Sequence, residues 1–377
     1  MPRTPTSPGI SGASTPAYTP PGTKPGPHVL RIRHALTEWK TAWDTAPDSP
    51  RYAARPTNDM SCVIGCSGGA DSLALVGCAV SHGWDIHAVV VDHGLQDGSD
   101  DVATRTAHVC RMLGATADTV RVYPRHATEA AARHARYHAL GTAAHARGGL
   151  PVLVAHTGDD QVESLFLGLA RGSGLGSIAG MSPISWAHPA TDAGAAALGR
   201  PLLRVRRDNT LGACTELGIT PWHDPTNTSG TNLRSRVRTE IIPRMRDVLG
   251  AAAIDNAVTT AAMIRTDEDY LTHCASQALT QCSHHDTLTV DVDIYRRQPP
   301  ALRGRIIKQW LSRRAGPLTR AHVDAIDALA THWHGQGGVA IPWPQSPAPP
   351  GRLIVVRRHH NLIVTVDERR KLPEATI

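Results

Sequence analysis

Two short runs of residues carry the chemistry open to this chain. The first is Ser67-Gly68-Gly69-Ala70-Asp71-Ser72, set between an apolar run, Cys62 to Cys66, and an apolar helix start at Leu73, Ala74, Leu75 and Val76. Two adjacent glycines remove the Cβ atoms that hold a ligand away from the backbone. The N–H groups of the turn and of the first helical turn then point at one spot, which favours an anion, above all a phosphate. Ser67 and Ser72 add hydroxyl donors. Asp71 is the odd member, because a carboxylate repels phosphate; it suits an N-cap or a ligand for the magnesium ion that travels with a nucleotide. The second run, His156-Thr157-Gly158-Asp159-Asp160-Gln161-Val162-Glu163, closes a strand and opens a helix. Asp160 and Glu163 are three apart and share a helix face. Acids in a first helical turn are also ordinary capping chemistry. What favours more is position: this helix start is expected beside the Ser67–Ser72 loop, where Asp71, Asp160 and Glu163 would converge on magnesium bridging phosphates.

Two further clusters are weaker on their own. Asp92-His93 ends an apolar strand and either starts a turn or borders a ligand pocket. Arg133 and Arg136 lie one turn apart on a helix, as a solvated face or as phosphate partners. There is no Gly-Lys-Ser/Thr, so the loop is not of the Walker type.

The elements that must position these residues read as alternating strands and helices. Strands are expected at 62–66, 85–95, 117–122 and 152–156. Helices follow from Ser72, over 100–113, 128–147 and 161–171, and a further helix covers 28–46. Residues 186–199 read as a loop insertion, with a fifth strand-helix unit at 201–217. The 25–35-residue spacing implies right-handed crossovers and a parallel sheet, with ligands at the carboxyl ends of the strands. After Trp222 the pattern turns mainly helical and ends in short strand-like pieces. Residues 1–27, rich in Pro, Ser and Thr, cannot bury enough apolar surface to order themselves. The expected division is a disordered tail over 1–27, an α/β domain over 28–225 and a smaller, mainly helical domain with a short β tail over 226–377.

Composition bounds the rest. Of 377 residues 41% are hydrophobic, enough for a sizeable core, and the net charge of +6 leans toward a polyanionic partner. Seven scattered cysteines without a CxxC pair argue against a disulfide framework and a four-cysteine zinc site, and fit a reduced, cytoplasmic setting. No stretch approaches the ~20 apolar residues of a membrane helix.

The Ser-Gly-Gly-x-Asp-Ser string after a strand and before a helix resembles the PP-loop of the ATP pyrophosphatases, which wraps the pyrophosphate end of ATP. The wider set resembles tRNA(Ile)-lysidine synthases: Val91-Asp92-His93-Gly94-Leu95, Glu129 with Arg133 and Arg136-Tyr137, His156 to Glu163, Leu169 to Leu175, Arg200-Pro201-Leu202-Leu203, Asp224-Pro225-Thr226-Asn227, and Arg238 to Ile242-Pro243. The chain departs from that pattern with Ser235 where an Asn is usual and His134 where a Glu is common. The resemblance implies a Rossmann-like PP-loop domain and a ligase that uses ATP and Mg2+. Its reaction would adenylate the wobble cytidine of a CAU-anticodon isoleucine tRNA and join it to L-lysine. It implies Ser67, Gly68, Gly69, Ala70, Asp71, Ser72, Asp92 and His93 around the nucleotide, and Asp71 and Asp160 on metal. Asp71, Asp160, Glu163 and Arg136 would be catalytic, with Arg133, Arg234 and Arg238 toward tRNA or phosphate. A homodimer is among its expectations. Two rivals are a PP-loop tRNA sulphurtransferase, disfavoured by the missing CxxC, and a non-catalytic basic RNA-binding protein, disfavoured by the intact loop.

Overall fold

The computed structural model describes residues 24–46, 60–94, 98–123, 128–172, 174–222, 232–283, 289–344, 349 and 351–367. Most of the Pro/Ser/Thr-rich tail, the Asp224–Asn227 run and Leu95 therefore lie outside the described residues.

The elements run α1 (Pro27–Thr45), β1 (Ser61–Gly65), α2 (Ala70–Ser81), β2 (Asp85–Asp92), α3 (Ser99–Met112), β3 (Thr116–Arg121), α4 (Glu129–His145), β4 (Val152–Leu153) and α5 (Gly158–Ala170). Then come α6 (Leu175–Ile178), β5 (Ile184–Ser185), α7 (Pro189–Asp192), β6 (Leu198–Gly199), α8 (Arg207–Glu216), α9 (Leu233–Arg236), a π-helical turn at Val237–Ile241, α10 (Ile242–Leu249) and α11 (Ala252–Cys282). The last are β7 (Thr289–Asp291), α12 (Val292–Arg296), α13 (Pro300–Leu311), α14 (Arg320–Thr331), β8 (Val339–Ala340), β9 (Arg352–Arg358) and β10 (Asn361–Asp367). Among these, no single helix is long and apolar enough to cross a membrane. The chain divides into two compact units, one of residues 1–170 and 180–261, the other of 171–179 and 262–377.

The first unit holds a six-stranded sheet in the order β3-β2-β1-β4-β6-β5, parallel except for the β5–β6 edge pair. The chain lays down β1, β2 and β3 in one direction and returns to place β4 on the other side of β1. That reversal opens a crevice at the carboxyl ends of β1 and β4, the usual ligand position in such sheets. Strand alternation divides the core into two faces. Cys62, Ile64, Ala88 and Val90 pack with the α1, α2 and α3 side, where Trp39 stacks on Trp43 at 5.7 Å. Val63, Val89 and Val152 meet Tyr137, Leu140 and Ala144 of α4 on the other face.

Helix α1 is shaped by its sequence. Pro27 suits a first helical turn, and Val29, Ile32, Leu36, Trp39 and Trp43 recur every three or four residues on one buried stripe. No side chain of its own caps it. Instead the Glu216 carboxylate at the end of α8 accepts from the N–H groups of His28 (3.0 Å) and Val29 (2.9 Å).

The expected fifth strand is misplaced in the sequence reading. Residues 201–204 form a turn into α8, and the sheet continues earlier, through β6 inside the supposed loop insertion. At Gly199 the side chains of Trp39 and Leu153 fill the space a Cβ would occupy, so a larger residue there would have to displace them.

The second unit packs α12, α13, α14 and the later part of α11 against a four-stranded antiparallel sheet, β7-β10-β9-β8, around Ile306, Trp310, Ile326 and Val355.

Candidate active site

The Ser67–Ser72 loop leaves β1 and enters α2 as expected, and its hydroxyls divide the work. Ser72 Oγ accepts from the Ser67 N–H (3.1 Å) and donates to the Gly69 carbonyl (3.0 Å), so it ties the turn together. Ser67 is exposed, and its own hydroxyl lies 3.3 Å from Ser72 Oγ. Gly68 has φ +83°, and a Cβ there would run into Thr106 Oγ1 on α3. Its carbonyl accepts from the Trp222 N–H (2.9 Å), which pins the loop from a distant stretch of chain. Asp71 is not the N-cap of α2; Gly69 is. Asp71 stands in the first helical turn, where Oδ1 accepts from the Thr210 hydroxyl on α8.

Because β4 lies beside β1, α5 starts beside this loop, and Asp71, Asp160 and Glu163 do converge. What they meet is Arg207, the first residue of α8. Its Nη2 is 2.6 Å from Asp160 Oδ1, its Nη1 2.8 Å from Glu163 Oε1 and its Nε 3.5 Å from Asp71 Oδ2. Glu163, with no exposed surface, also takes Arg238 (Nε 2.8 Å to Oε1) and Arg234 (Nε 3.2 Å to Oε2). Three carboxylates thus face three guanidiniums. The other Asp160 oxygen accepts from the Thr157 N–H (2.8 Å) and hydroxyl (2.9 Å). Burial pushes Asp160 up, but Arg207, His156 and Thr157 together outweigh it and hold the carboxyl below the usual range. At Asp71 burial prevails over Thr210 and Arg207 and lifts the carboxyl above it. Burial disfavours the Arg207 charge as well, yet Asp160, Glu163 and Asp71 more than restore it.

Asp159, next to Asp160 but turned the other way, sets this geometry. Its carboxylate accepts from Arg206 Nη2 (2.8 Å) and Nε (3.0 Å) and from the Arg207 N–H (2.9 Å), while Arg206 Nη1 reaches Asp255 at 3.1 Å. Arg234 and Arg238 are held over α5 by a small apolar cluster in which Val237, Ile242, Ile254 and Val258 pack with Val162 and Phe166.

A second group lies at the ends of β2 and β4. Arg133 and Arg136 sit half-buried with their guanidiniums 4.9 and 5.5 Å from the Tyr137 ring centre. Among the described residues neither pairs with a carboxylate in an ion pair. Burial draws the Arg136 charge down from its ordinary value, and the same cation adds to burial in keeping His93 neutral. Burial is also the main cause that carries His156 down to about 3. Among the described residues, Nδ1 of both histidines is buried without a hydrogen-bond partner. Asp92, by contrast, is committed to its turn: Oδ1 accepts from the Gly94 N–H at 2.8 Å.

Magnesium finds no ready seat among these residues. The Asp71 and Asp160 oxygens are taken by Thr210, Arg207 and Thr157, and among the described residues no group of three or more His, Cys, Asp or Glu stands where it could hold a metal ion. The carboxylates have the right hard-oxygen chemistry, but as disposed they do not fit the ion.

Sequence reasoning missed Arg206, Arg207, Asp159 and Thr210. One signal was available. Two arginines at a helix start oppose the helix dipole, so carboxylates must lie close. In the second unit the arginine-dense stretches are partly structural. Arg303 pairs with Asp327 (2.8 Å), Arg305 with Glu268, and Arg357 closes the end of α14 through the Leu329 and Ala330 carbonyls (both 3.2 Å). Arg313 and Arg358 are exposed.

Residues 48–245 match the family described as PP-loop domain, and residues 291–363 match the TilS substrate binding domain. Over 350 residues the chain is 40% identical to the tRNA(Ile)-lysidine synthase of Rhodococcus erythropolis, covering 92% of this chain and 98% of the relative. It is 43% identical over 338 residues to the protein of that name from Nocardia farcinica, covering 88% and 96%. With that from Salinispora arenicola it shares 40% over 349 residues, covering 90% and 96%.

Proposed function

The chain belongs to the tRNA(Ile)-lysidine synthase family, and from that premise we propose how its residues carry out the reaction. It is a ligase that forms a carbon–nitrogen bond at the expense of ATP. The C2 oxygen of the wobble cytidine, in an isoleucine tRNA with a CAU anticodon, attacks the α-phosphate of ATP and pyrophosphate leaves. The ε-amine of lysine then attacks C2 and displaces AMP. The product, lysidine, pairs with A in place of G.

One observation supports the assignment of roles above the others: the anion-binding loop after β1 and the acidic start of α5 after β4 stand side by side at the reversal of strand order. The N–H groups of Gly68, Gly69 and Ala70 and the Ser67 hydroxyl hold the pyrophosphate end of ATP. Arg136, and with it Arg133, stabilises charge developing on the phosphates, since neither cation is spent on a carboxylate. His93, at the end of β2, borders the nucleoside, and Asp92 shapes the turn that carries it. Asp160 and Glu163 orient the lysine ammonium. Arg234 and Arg238 lie where the tRNA backbone approaches this cleft. Magnesium would serve only as the counter-ion of the ATP phosphates, since Asp71 and Asp160 are engaged by Thr210 and Arg207. Residues 28–225 carry the nucleotide chemistry, and residues 226–377 grip the tRNA through exposed arginines such as Arg313 and Arg358.

The test is incorporation of labelled lysine into an unmodified isoleucine tRNA transcript with a CAU anticodon, with and without ATP, beside an elongator methionine tRNA. ATP-dependent labelling of the first transcript alone is expected. ATP cleavage to AMP and pyrophosphate without lysine incorporation would overturn the amine step and favour another nucleophile, sulphur first. Near-normal turnover in folded Asp71→Ala and Asp160→Ala variants would remove those carboxylates from the chemistry.

A further inference from the structure

The acidic cleft carries no surplus charge as it stands. Asp71, Asp160 and Glu163 are matched by Arg207, Arg234 and Arg238. A substrate ammonium therefore meets a neutral, fully paired cluster, and Asp160 and Glu163 can receive it only if a guanidinium leaves.

Arg207 is the one placed to leave. Its main chain is fixed, because the N–H is held by Asp159 at 2.9 Å and the carbonyl accepts from the Thr210 hydroxyl at 2.8 Å. Its side chain, 26% open to solvent against 37% for Arg234 and 34% for Arg238, is the most enclosed of the three, so it is position and not exposure that singles it out. It is the arginine of the three that faces Asp71, in the first turn of the helix that follows the anion-binding loop. Arg234 and Arg238 bear on Glu163 from the opposite segment, Arg238 also on Asp160 at 4.0 Å, and among the described residues neither forms an ion pair with Asp71. A phosphate seated on the loop thus offers Arg207, and not the other two, a new anionic partner. Guanidinium forks bind phosphate and carboxylate with similar bidentate geometry, so a phosphate can take the place of the carboxylates Arg207 gives up.

We propose that Arg207 is a displaceable counter-ion: it occupies Asp160 and Glu163 until nucleotide phosphate on the Ser67–Ser72 loop draws its guanidinium away and frees the pair for the amine substrate. This rests on the functional reading above and adds an order to it, nucleotide before lysine. Once Arg207 departs, two guanidiniums face three carboxylates, and the cleft gains the single negative charge that an ammonium complements. The arrangement keeps the amine site closed to cellular cations while the loop is empty.

Calorimetric titration of the full chain with L-lysine, in the presence and absence of α,β-methylene-ATP, tests it. In the wild type the analogue is expected to tighten lysine binding by about tenfold or more, the ordinary range of site coupling, and lysine must tighten the analogue by the same factor. Arg207→Gln is expected to bind lysine tightly without nucleotide and to reduce the coupling to less than about twofold. Arg207→Lys, which keeps the charge without the fork, should retain a reduced coupling and serves if the glutamine variant does not fold. Binding of both ligands to the wild type with no mutual effect would overturn the proposal and leave the assigned reaction standing, as would undiminished coupling in folded Arg207→Gln. Failure of lysine to bind even beside the analogue would sink the amine-site assignment together with it.

Discussion

Replacing Glu163 by alanine is the sharpest probe of the cleft. The carboxylate is wholly buried and receives Arg207 at 2.8 Å, Arg238 at 2.8 and 3.2 Å, and Arg234 at 3.2 Å. Removing one partner of a buried ion pair typically costs ~3–5 kcal/mol, because the remaining charge is stranded. Here the stranded groups are three guanidiniums with 26–37% of their side-chain surface in water. Partial resolvation places the cost at the lower end, about 3 kcal/mol. At ~2–4 °C per kcal/mol for a domain of this size, the melting transition of the first unit should fall by roughly 6–12 °C. Scanning calorimetry reads this directly. Arg238→Ala alone should cost about 1 kcal/mol, since its partner keeps two other cations. The double variant should then be less destabilised than the sum, with a coupling of ~1–3 kcal/mol. A melting temperature within about 2 °C of wild type for Glu163→Ala, or strictly additive losses in the double variant, would refute the network.

Three further outcomes are expected. His156 stays neutral down to about 3 in the folded chain but takes up a proton below its ordinary value of 6.5 once unfolded, so the unfolded state binds more protons and stability falls as the pH drops through that window. Between pH 6.5 and 5 this amounts to about 2 kcal/mol, and His156→Gln should flatten the slope in denaturant titrations at the two pH values. Gly68→Ala should destabilise the chain by more than about 1 kcal/mol, from the left-handed backbone and the blocked Cβ, and should weaken ATP-analogue binding in calorimetry; unchanged binding would show that the loop does not need this turn. Affinity for the tRNA should fall steeply with salt, and the double variant Arg313→Ala/Arg358→Ala should lower the log–log slope by about 2, whereas Arg303→Ala should lower the melting temperature of the second unit instead.

Much of this arrangement could be read from the chain because the decisive residues act locally. The loop is legible as a strand, two glycines and a helix start, and its partner as an acidic helix start three residues deep. Their meeting follows once β4 lies beside β1. Arg207 escaped because its role depends on a contact spanning more than forty residues, and nothing in its own turn marks it except two positive charges at the wrong end of a helix. The strand β7 escaped for another reason: three residues carry too little alternation to be seen, and they form a strand by pairing with β10. The π-helical turn before Pro243 is likewise hidden in a run that reads as helix. Proline supplies no N–H to the preceding turn, and a wider turn is one way the backbone absorbs that loss.

The cap on α1 bears on how the chain comes off the ribosome. Glu216 lies 188 residues beyond His28. At ~5–20 residues per second, α1 is made roughly 10–40 s before the group that secures its first turn exists. During that interval Trp39 and Trp43, later stacked in the core, have no finished sheet or α8 to cover them. The nascent chain must therefore carry an exposed tryptophan-bearing helix through most of the synthesis of its first unit, and a helix that emerges late, α8, is the one that locks the first.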